Sequence, residues 1–403
     1  MNVKIYPSRA SGEITAPPSK SLSHRALICG ALSGGSTLYN VFGGHQSGDV
    51  GATLNCLCNL GADICVHGLK VKIGNFNPFD PKTDTELDCV ESGSTLRFLI
   101  PLCLLCGKRI TLRGAERLFE RPLGVYEDIC REQGILFEKS KNSVTLCGKL
   151  KSGIYKVPGD ISSQFITGLL FALPLLDGVS IIEVTGKFES ASYVDLTLDT
   201  LAEFGIKVTR NGNRFVILGN QRYQSSEYTV ESDCSNAAFL QALDFLGGDV
   251  TVNGISDSTH QGDRVYKDIF AAMERGERHF DLSDCPDLAP ILFAVASAKG
   301  GAEFTGTARL KIKESDRAEA MATELAKFGV PVIVKENSVS VCDAELKTPT
   351  EVLDAHNDHR IVMSLAVLCT LTGGEIKDAE ACGKSYRGFF DDIEKLNVKL
   401  ERI

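Results

Sequence analysis

The 403-residue sequence predicts a mixed α/β fold of two similar lobes, linked by two chain crossings, with a substrate cleft between them. Three observations predict it. The length exceeds one ordinary hydrophobic core. A polar start, an apolar run of about three turns, a Gly-containing turn and a short strand recur six times along the chain. Amphipathic stretches alternate with those runs, so each repeat carries one buried and one flanking helix.

Residues 1–19 open on a strand, MNVKIYPS, that has no repeat of its own and is expected to join the second lobe. The first lobe, residues 20–232, holds the runs SLSHRALICGALSGGSTLYNV, GSTLRFLIPLCLLCGKRITLRG and SSQFITGLLFALPLLDGVSIIEVTG. The second, residues 233–403, holds SNAAFLQALDFLGGDVTVNG, DLAPILFAVASAKGGAEFTGT and DHRIVMSLAVLCTLTGGEIKD. Glycine after each run suits the left-handed residue that closes a helix, and the alternation that follows suits a strand. Because these helices are apolar nearly all round, they are expected inside their lobes. DVGATLNCLCNLGADI, VYEDICREQGILF, DLTLDTLAEFGIKV, RVYKDIFAAMERG and DRAEAMATELAKFGVPV each keep a polar face and are expected to flank them.

The chain has 43 basic and 52 acidic residues. That balance disfavours a nucleic-acid or membrane-surface binder, which needs a broad basic field, but leaves room for a local cluster holding a small anion. Fourteen cysteines are too few for a disulfide scaffold, and most sit in apolar runs. They read as buried thiols of a reducing compartment. Cys103 and Cys106 have Cys-x-x-Cys spacing, but no second pair completes a zinc set. His356 and His359 lack a supporting carboxylate set, so no metal is expected there. No signal sequence is seen and no apolar segment is long enough to span a bilayer, which makes the cytoplasm the expected location.

The starts of the buried helices carry the chemistry. A helix leaves its first N–H groups unpaired and presents a partial positive charge there. Several such ends facing one cleft make a site for anions. Lys20, Arg25, Arg97, Arg121, Lys313, Arg317, Arg360 and Lys384 stand at or near these starts, with Ser21, Ser23, Ser94, Thr95, Ser162 and Ser163 beside them. Ser21 and Arg25 are four apart and share a helical face. One serine before a helix is ordinarily a cap and nothing more. The whole set points to ligands bearing phosphate or carboxylate. No GxxxxGK[ST] segment and no strand-borne GxGxxG occurs, which argues against nucleotide binding by those routes.

The segments PPSKSLSHRAL, ESGSTLRF, FERPLG, GDISSQFITGLLFALPL, SASY, DCPDLAP, KIKESDRAEAMATELAKFG, NDHRIVMSLAV and KSYRGFF follow one another along the chain. In this order, over essentially the whole length, they resemble the 5-enolpyruvylshikimate-3-phosphate (EPSP) synthase family. The resemblance implies two lobes of three βαβαββ units each, an inside-out α/β barrel with the helices within. It implies transfer of the enolpyruvyl group of phosphoenolpyruvate to the 5-hydroxyl of shikimate 3-phosphate, with no cofactor, by a monomer. By match to the family segments, Lys20, Asp287 and Glu314 are the candidates for proton transfer. The shikimate 3-phosphate set is Lys20, Ser21, Arg25, Ser162, Ser163, Gln164, Ser190, Tyr193, Asp287 and Lys313. The phosphoenolpyruvate set is Lys20, Gly93, Arg121, Gln164, Arg317, Arg360 and Lys384. A side chain at Gly93 would intrude on the ligand.

Three positions depart from the family pattern: Glu91 where Asn is frequent, Phe98 where Pro is frequent, and Arg309 where some members have Asn. The related transferase acting on UDP-N-acetylglucosamine uses a loop cysteine, and the corresponding segment here, GAERLFERPLG, has none. A non-catalytic relative is disfavoured by the presence of Lys20, Asp287, Glu314 and Arg317.

Overall fold

Ile110–Arg113 and Ser143–Cys147 alternate buried with more open side chains, the period-two pattern of a pleated strand. Strands of this kind form six sheets in the computed structural model, which describes residues 1–42, 47–74, 76–81 and 85–403. The chain divides into two compact units, Met1–Pro17 with Glu231–Ile403, and Pro18–Val230. The sequence repeats put these junctions at residues 20 and 232.

The Pro18–Val230 unit holds three four-stranded sheets of identical topology. In one, Thr85–Asp88 runs parallel to Ile110–Arg113, which pairs antiparallel with Ser143–Cys147, which pairs antiparallel with Leu136–Lys139. Ile154–Pro158, Val179–Thr185, Arg214–Leu218 and Val208–Asn211 repeat the pattern. So do Glu227–Thr229, Ser36–Tyr39, Lys70–Ile73 and Ile64–His67. A parallel pair needs a crossover, and a helix provides it.

The helices Lys20–Ser33, Gly93–Cys103 and Ser163–Ala172 fill this unit's core. Every residue from Leu22 to Ala31 is buried, polar ones included. Gly34, at φ 70°, closes the first helix in the left-handed region. The second contains Pro101, which has no N–H to give the carbonyl four residues back. That carbonyl, of Arg97, instead accepts the Tyr126 hydroxyl at 2.7 Å. Gly168 makes the approach possible, because a Cβ there would lie 2.3 Å from Tyr126 Oη and 2.4 Å from Arg97 O. Gly48–Leu60, Gly124–Gln133 and Ala191–Glu203 flank the core with one face open to solvent.

The Met1–Pro17 and Glu231–Ile403 unit is built around Cys234–Phe245, Ala289–Ala298 and His359–Thr372. His279–Asp281, Ala302–Thr305, Ser338–Val341 and Val332–Val334 form the same four-stranded topology. The last sheet takes Val3–Ile5 as an inner strand. Leu353–Asp354, Gly374–Lys377, Val3–Ile5 and Leu400–Arg402 lie in that order.

One unit departs from the expected βαβαββ pattern. Ser11–Thr15 pairs parallel with Asp249–Asn253 in a sheet of two strands among the described residues. Its flanking helix Tyr266–Glu274 is followed so closely by the next strand, His279–Asp281, that no hairpin fits between them. At the two junctions the chain exchanges strands. Ser11–Thr15 leads into the helix Lys20–Ser33 of the other unit, while Glu227–Thr229 leads into Cys234–Phe245. Among the described residues, no helix is long and apolar enough to cross a membrane.

Candidate active site

Each unit carries its share of the candidate residues at or near helix ends, some on buried helices and some on flanking ones. In the Pro18–Val230 unit, Ser19 caps the first helix by accepting from Leu22 N, which leaves Lys20 at the first helical position. Lys20 Nζ donates to Asp49 Oδ2 at 2.9 Å. The Asp49 carbonyl accepts Thr95 Oγ1 at 3.3 Å, tying Lys20 to the start of the Gly93 helix.

Arg25 lies below Ser21, with Nη1 donating to the Ser21 carbonyl at 2.6 Å. Its Nε donates to Thr197 Oγ1 at 2.9 Å and its Nη2 to the Tyr193 carbonyl at 2.7 Å. Burial lowers the guanidinium pKa to about 10, which leaves it charged at neutral pH. The Phe98 ring lies 5.4 Å from the Arg25 guanidinium, so the departure at 98 supplies a cation–π floor. Ser190 is buried in a left-handed conformation at the start of the Ala191–Glu203 helix, one turn before Tyr193.

Gln164 joins two helix starts. Its Nε2 donates to Ser94 Oγ at 3.0 Å, and its Oε1 accepts Arg97 Nη1 at 2.8 Å. Ser162 caps its helix by accepting the Gln164 N–H, with Ser163 next to it at the first helical position. Over Gly93 stand two guanidinium groups. A Cβ at that position would meet Arg121 Nη1 at 2.7 Å and Arg97 Nη1 at 3.0 Å.

Behind these groups His24 is fully buried, its Nδ1 2.7 Å from Thr53 Oγ1. Burial first, then the charges of Lys20 and Arg25, hold its pKa well below 6.5. The imidazole is therefore neutral at physiological pH. It and Thr53, Thr95 and Ser92 form a hydrogen-bonded run under the cationic face.

The other unit assembles Asp287, Lys313, Glu314, Arg317, Arg360 and Lys384. Asp287 Oδ1 accepts Lys313 Nζ at 3.1 Å and Arg317 Nη1 at 2.8 Å, while Oδ2 faces Arg360 Nη2 at 3.6 Å. Glu314 Oε2 accepts Arg317 Nη2 at 2.8 Å. Arg317 also donates from Nε to Asp358 Oδ2 at 2.9 Å. Burial opposes the Arg317 charge, but Asp358, Glu314 and Asp287 outweigh it and raise its pKa. Burial lowers the Lys313 pKa, offset in part by Asp287. Lys384 Nζ donates to the Asn357 carbonyl at 2.5 Å. Arg309, a departure from the family pattern, is buried and donates to the Ser283 carbonyl.

Sequence inspection passed over three supporting residues. Asp358 holds Arg317 and also caps its own helix through the Arg360 N–H at 2.9 Å. An aspartate just before an apolar run was the available signal. Asp49 and Thr197 sit 29 and 172 residues from the cations they bind, and no local pattern marks them.

The chain as a whole has known relatives. The profile of the EPSP synthase (3-phosphoshikimate 1-carboxyvinyltransferase) family matches residues 5–393. The 3-phosphoshikimate 1-carboxyvinyltransferase of Clostridium kluyveri is 43% identical, covering 99% of this chain and 98% of the relative. The protein of the same name from Clostridium beijerinckii is 40% identical, covering 98% and 97%. Among solved structures, EPSP synthase from Acinetobacter baumannii matches with a TM-score of 0.79 at 22% identity, covering 100% of both chains. The enolpyruvyl transferase NikO from Streptomyces tendae matches with a TM-score of 0.73 at 14% identity, covering 99% and 98%. The last two likenesses concern the fold alone. The profile and the Clostridium relatives span nearly the whole sequence, and on that ground the chain belongs to the EPSP synthase family.

Proposed function

We propose that this protein transfers the enolpyruvyl group of phosphoenolpyruvate to the 5-hydroxyl of shikimate 3-phosphate, releasing phosphate. The product feeds the route to chorismate and the aromatic amino acids. One observation carries the reading: full-length kinship with 3-phosphoshikimate 1-carboxyvinyltransferases at 40–43% identity. The clusters described above supply the groups that such a reaction needs.

Protonating the methylene carbon of phosphoenolpyruvate makes its C2 electrophilic. The hydroxyl then attacks C2 and gives a tetrahedral ketal phosphate. Losing phosphate from C2 and a proton from the methyl carbon restores the enol ether. One group must accept the hydroxyl proton, and another must deliver and recover the carbon-bound proton. Glu314, whose Oε2 accepts Arg317 Nη2 at 2.8 Å, is assigned to the carbon side. Asp287 is assigned to the 5-hydroxyl, with Oδ2 as the accepting oxygen because Oδ1 already takes two short bonds. Lys20 is assigned to both substrates, as a charge for phosphate and a participant in proton transfer.

Lys20, Ser21, Arg25, Ser162, Ser163, Gln164, Ser190, Tyr193, Asp287 and Lys313 are assigned to shikimate 3-phosphate. Lys20, Gly93, Arg121, Gln164, Arg317, Arg360 and Lys384 are assigned to phosphoenolpyruvate. Fixed guanidinium forks suit both phosphate and carboxylate, and they stabilise charge that shifts during addition and elimination. The enzyme is proposed to work as a cytoplasmic monomer on these small molecules, without nucleic acid. The test is phosphate release from phosphoenolpyruvate with shikimate 3-phosphate or UDP-N-acetylglucosamine as acceptor. Release with the first acceptor alone is expected, and release with the second alone overturns the assignment.

A further inference from the structure

The helix Arg317–Lys327 carries a buried carboxylate that the proposed chemistry does not use. Glu324 lies two turns after Arg317 and is fully buried. Lys327 Nζ donates to its Oε1 at 3.0 Å and its Oε2 at 2.9 Å. The Asp354 N–H donates to Oε2 at 2.9 Å, and His356 Nε2 lies 3.0 Å from Oε1. A buried carboxylate is costly unless its lone pairs are engaged, and here both oxygens are.

The loop that Glu324 grips is strained. His356 and Asn357 both adopt left-handed conformations, at φ 49° and 50°, immediately before Asp358. For residues with a side chain each such conformation costs about 1 kcal/mol or more, so an adjacent pair persists only when its surroundings hold it. Glu324 holds the His356 side chain, Asp354 Oδ1 accepts the His356 N–H at 2.7 Å, and Lys384 holds the Asn357 carbonyl. The turn delivers Asp358 to the Arg360 N–H and to Arg317. One helix is thus fastened to one loop at two places: Arg317 by Asp358, and Glu324 by His356 and the Asp354 N–H. The strained pair lies between Asp354 and Asp358.

We infer that Glu324 and His356 are positioning residues: their contact seats the left-handed pair and so fixes Asp358, Arg317 and Arg360 as one phosphoenolpyruvate-binding group. This inference rests on the function proposed above. The charged groups around the imidazole are Lys327 on the Glu324 helix, Asp354 on Leu353–Asp354, and Lys384 at the Asn357 carbonyl. Lys377, on Gly374–Lys377, joins them through Asp354 Oδ2 at 2.9 Å. The bond to Glu324 raises the His356 pKa, with burial opposing. Burial would raise the Glu324 pKa, but bonds from His356, Lys327 and the Asp354 N–H hold it below the usual range. The contribution of the ion pair is therefore complete between the free glutamate and free histidine values of 4.5 and 6.5. It declines as pH rises through the raised histidine value and is lost in acid as pH falls through the lowered glutamate value.

The test measures KM for phosphoenolpyruvate, at saturating shikimate 3-phosphate, in wild type, Glu324→Gln, His356→Ala and His356→Gln. Glu324→Gln and His356→Ala are expected to raise it roughly tenfold or more, with kcat nearly unchanged. His356→Gln keeps an N–H donor without an ionisation. It is expected to recover most of the loss and to remove the rise of KM with pH that the wild type shows. Wild-type KM and an unchanged pH profile in both His356 variants overturn the inference. Those variants decide it even if Glu324→Gln fails to fold, since the His356 side chain is partly exposed. A wild-type protein that releases no phosphate overturns the functional reading instead. Hydrogen exchange at the Asp358–Arg360 amides then decides the positioning role alone: faster exchange in His356→Ala supports it, and equal exchange overturns it.

Discussion

A methyl group on Gly93 would lie 2.7 Å from Arg121 Nη1, inside the contact limit, so the guanidinium would have to yield. Gly93→Ala is therefore expected to raise KM for phosphoenolpyruvate by roughly ten- to a hundredfold, with KM for shikimate 3-phosphate little changed. Steady-state kinetics with each substrate varied checks this. Glu314→Gln removes an ionisable group but keeps the shape and a hydrogen-bonding partner. Turnover should fall by about 10²–10⁴-fold while calorimetry shows shikimate 3-phosphate still bound. Near-normal turnover would remove Glu314 from its assigned role. His24 makes a separate prediction about pH. Its folded pKa is depressed, so as pH falls through 6.5 the unfolded chain takes up the proton first. Its stability contribution is thus complete above that pH and lost below it, by up to about 1.4 kcal/mol per unit. Melting temperature should drop more between pH 7.5 and pH 5 in wild type than in His24→Gln. Site residues of this kind were legible where a motif names them, as at Lys20 or Glu314. Their partners Asp49, Thr197 and Asp358 were not selected, because fold rather than sequence spacing brings them close.

Among the elements, the Gly93–Cys103 helix shows best how sequence becomes geometry. Pro101 removes one N–H, Tyr126 satisfies the stranded Arg97 carbonyl, and Gly168 admits the neighbouring helix to that spot. Tyr126→Phe should cost about 1–2 kcal/mol, the usual penalty for a buried acceptor left unpaired. Gly168→Ala should cost about 3 kcal/mol or more, because the new carbon meets backbone that cannot swing aside. The helix-propensity gain of about 1 kcal/mol does not offset this. Urea unfolding of the two variants checks the ranking. All six apolar runs were legible as buried helices, because an all-round apolar helix has nowhere else to go. The five-residue helix Glu116–Glu120 was not, since so short a segment shows no full period of polarity.

At the scale of the whole molecule, the repeat count was legible and its one incomplete member was not. Among the described residues, the sheet of Ser11–Thr15 and Asp249–Asn253 has two strands where the other sheets have four, and periodicity reports what is present better than what is absent. Thiol burial makes a global prediction. Ten of the fourteen cysteines are buried, three are intermediate, and only Cys65 is exposed. A thiol reagent should label Cys65 first and few others while the protein is folded, and all fourteen in denaturant. Rapid labelling of many thiols under native conditions would contradict the described cores. The strand Val3–Ile5 sits between Gly374–Lys377 and Leu400–Arg402, with Val3 opposite both Ile376 and Arg402. During synthesis Val3–Ile5 must therefore wait for Gly374–Lys377 before it gains a partner in this sheet, and for Leu400–Arg402 before it gains the second. The Pro18–Val230 unit, by contrast, has all its strands soon after residue 230 emerges. Nascent chains halted before residue 374 should hold one protease-resistant unit, Pro18–Val230, and an unpaired Val3–Ile5 segment open to chaperones and proteases.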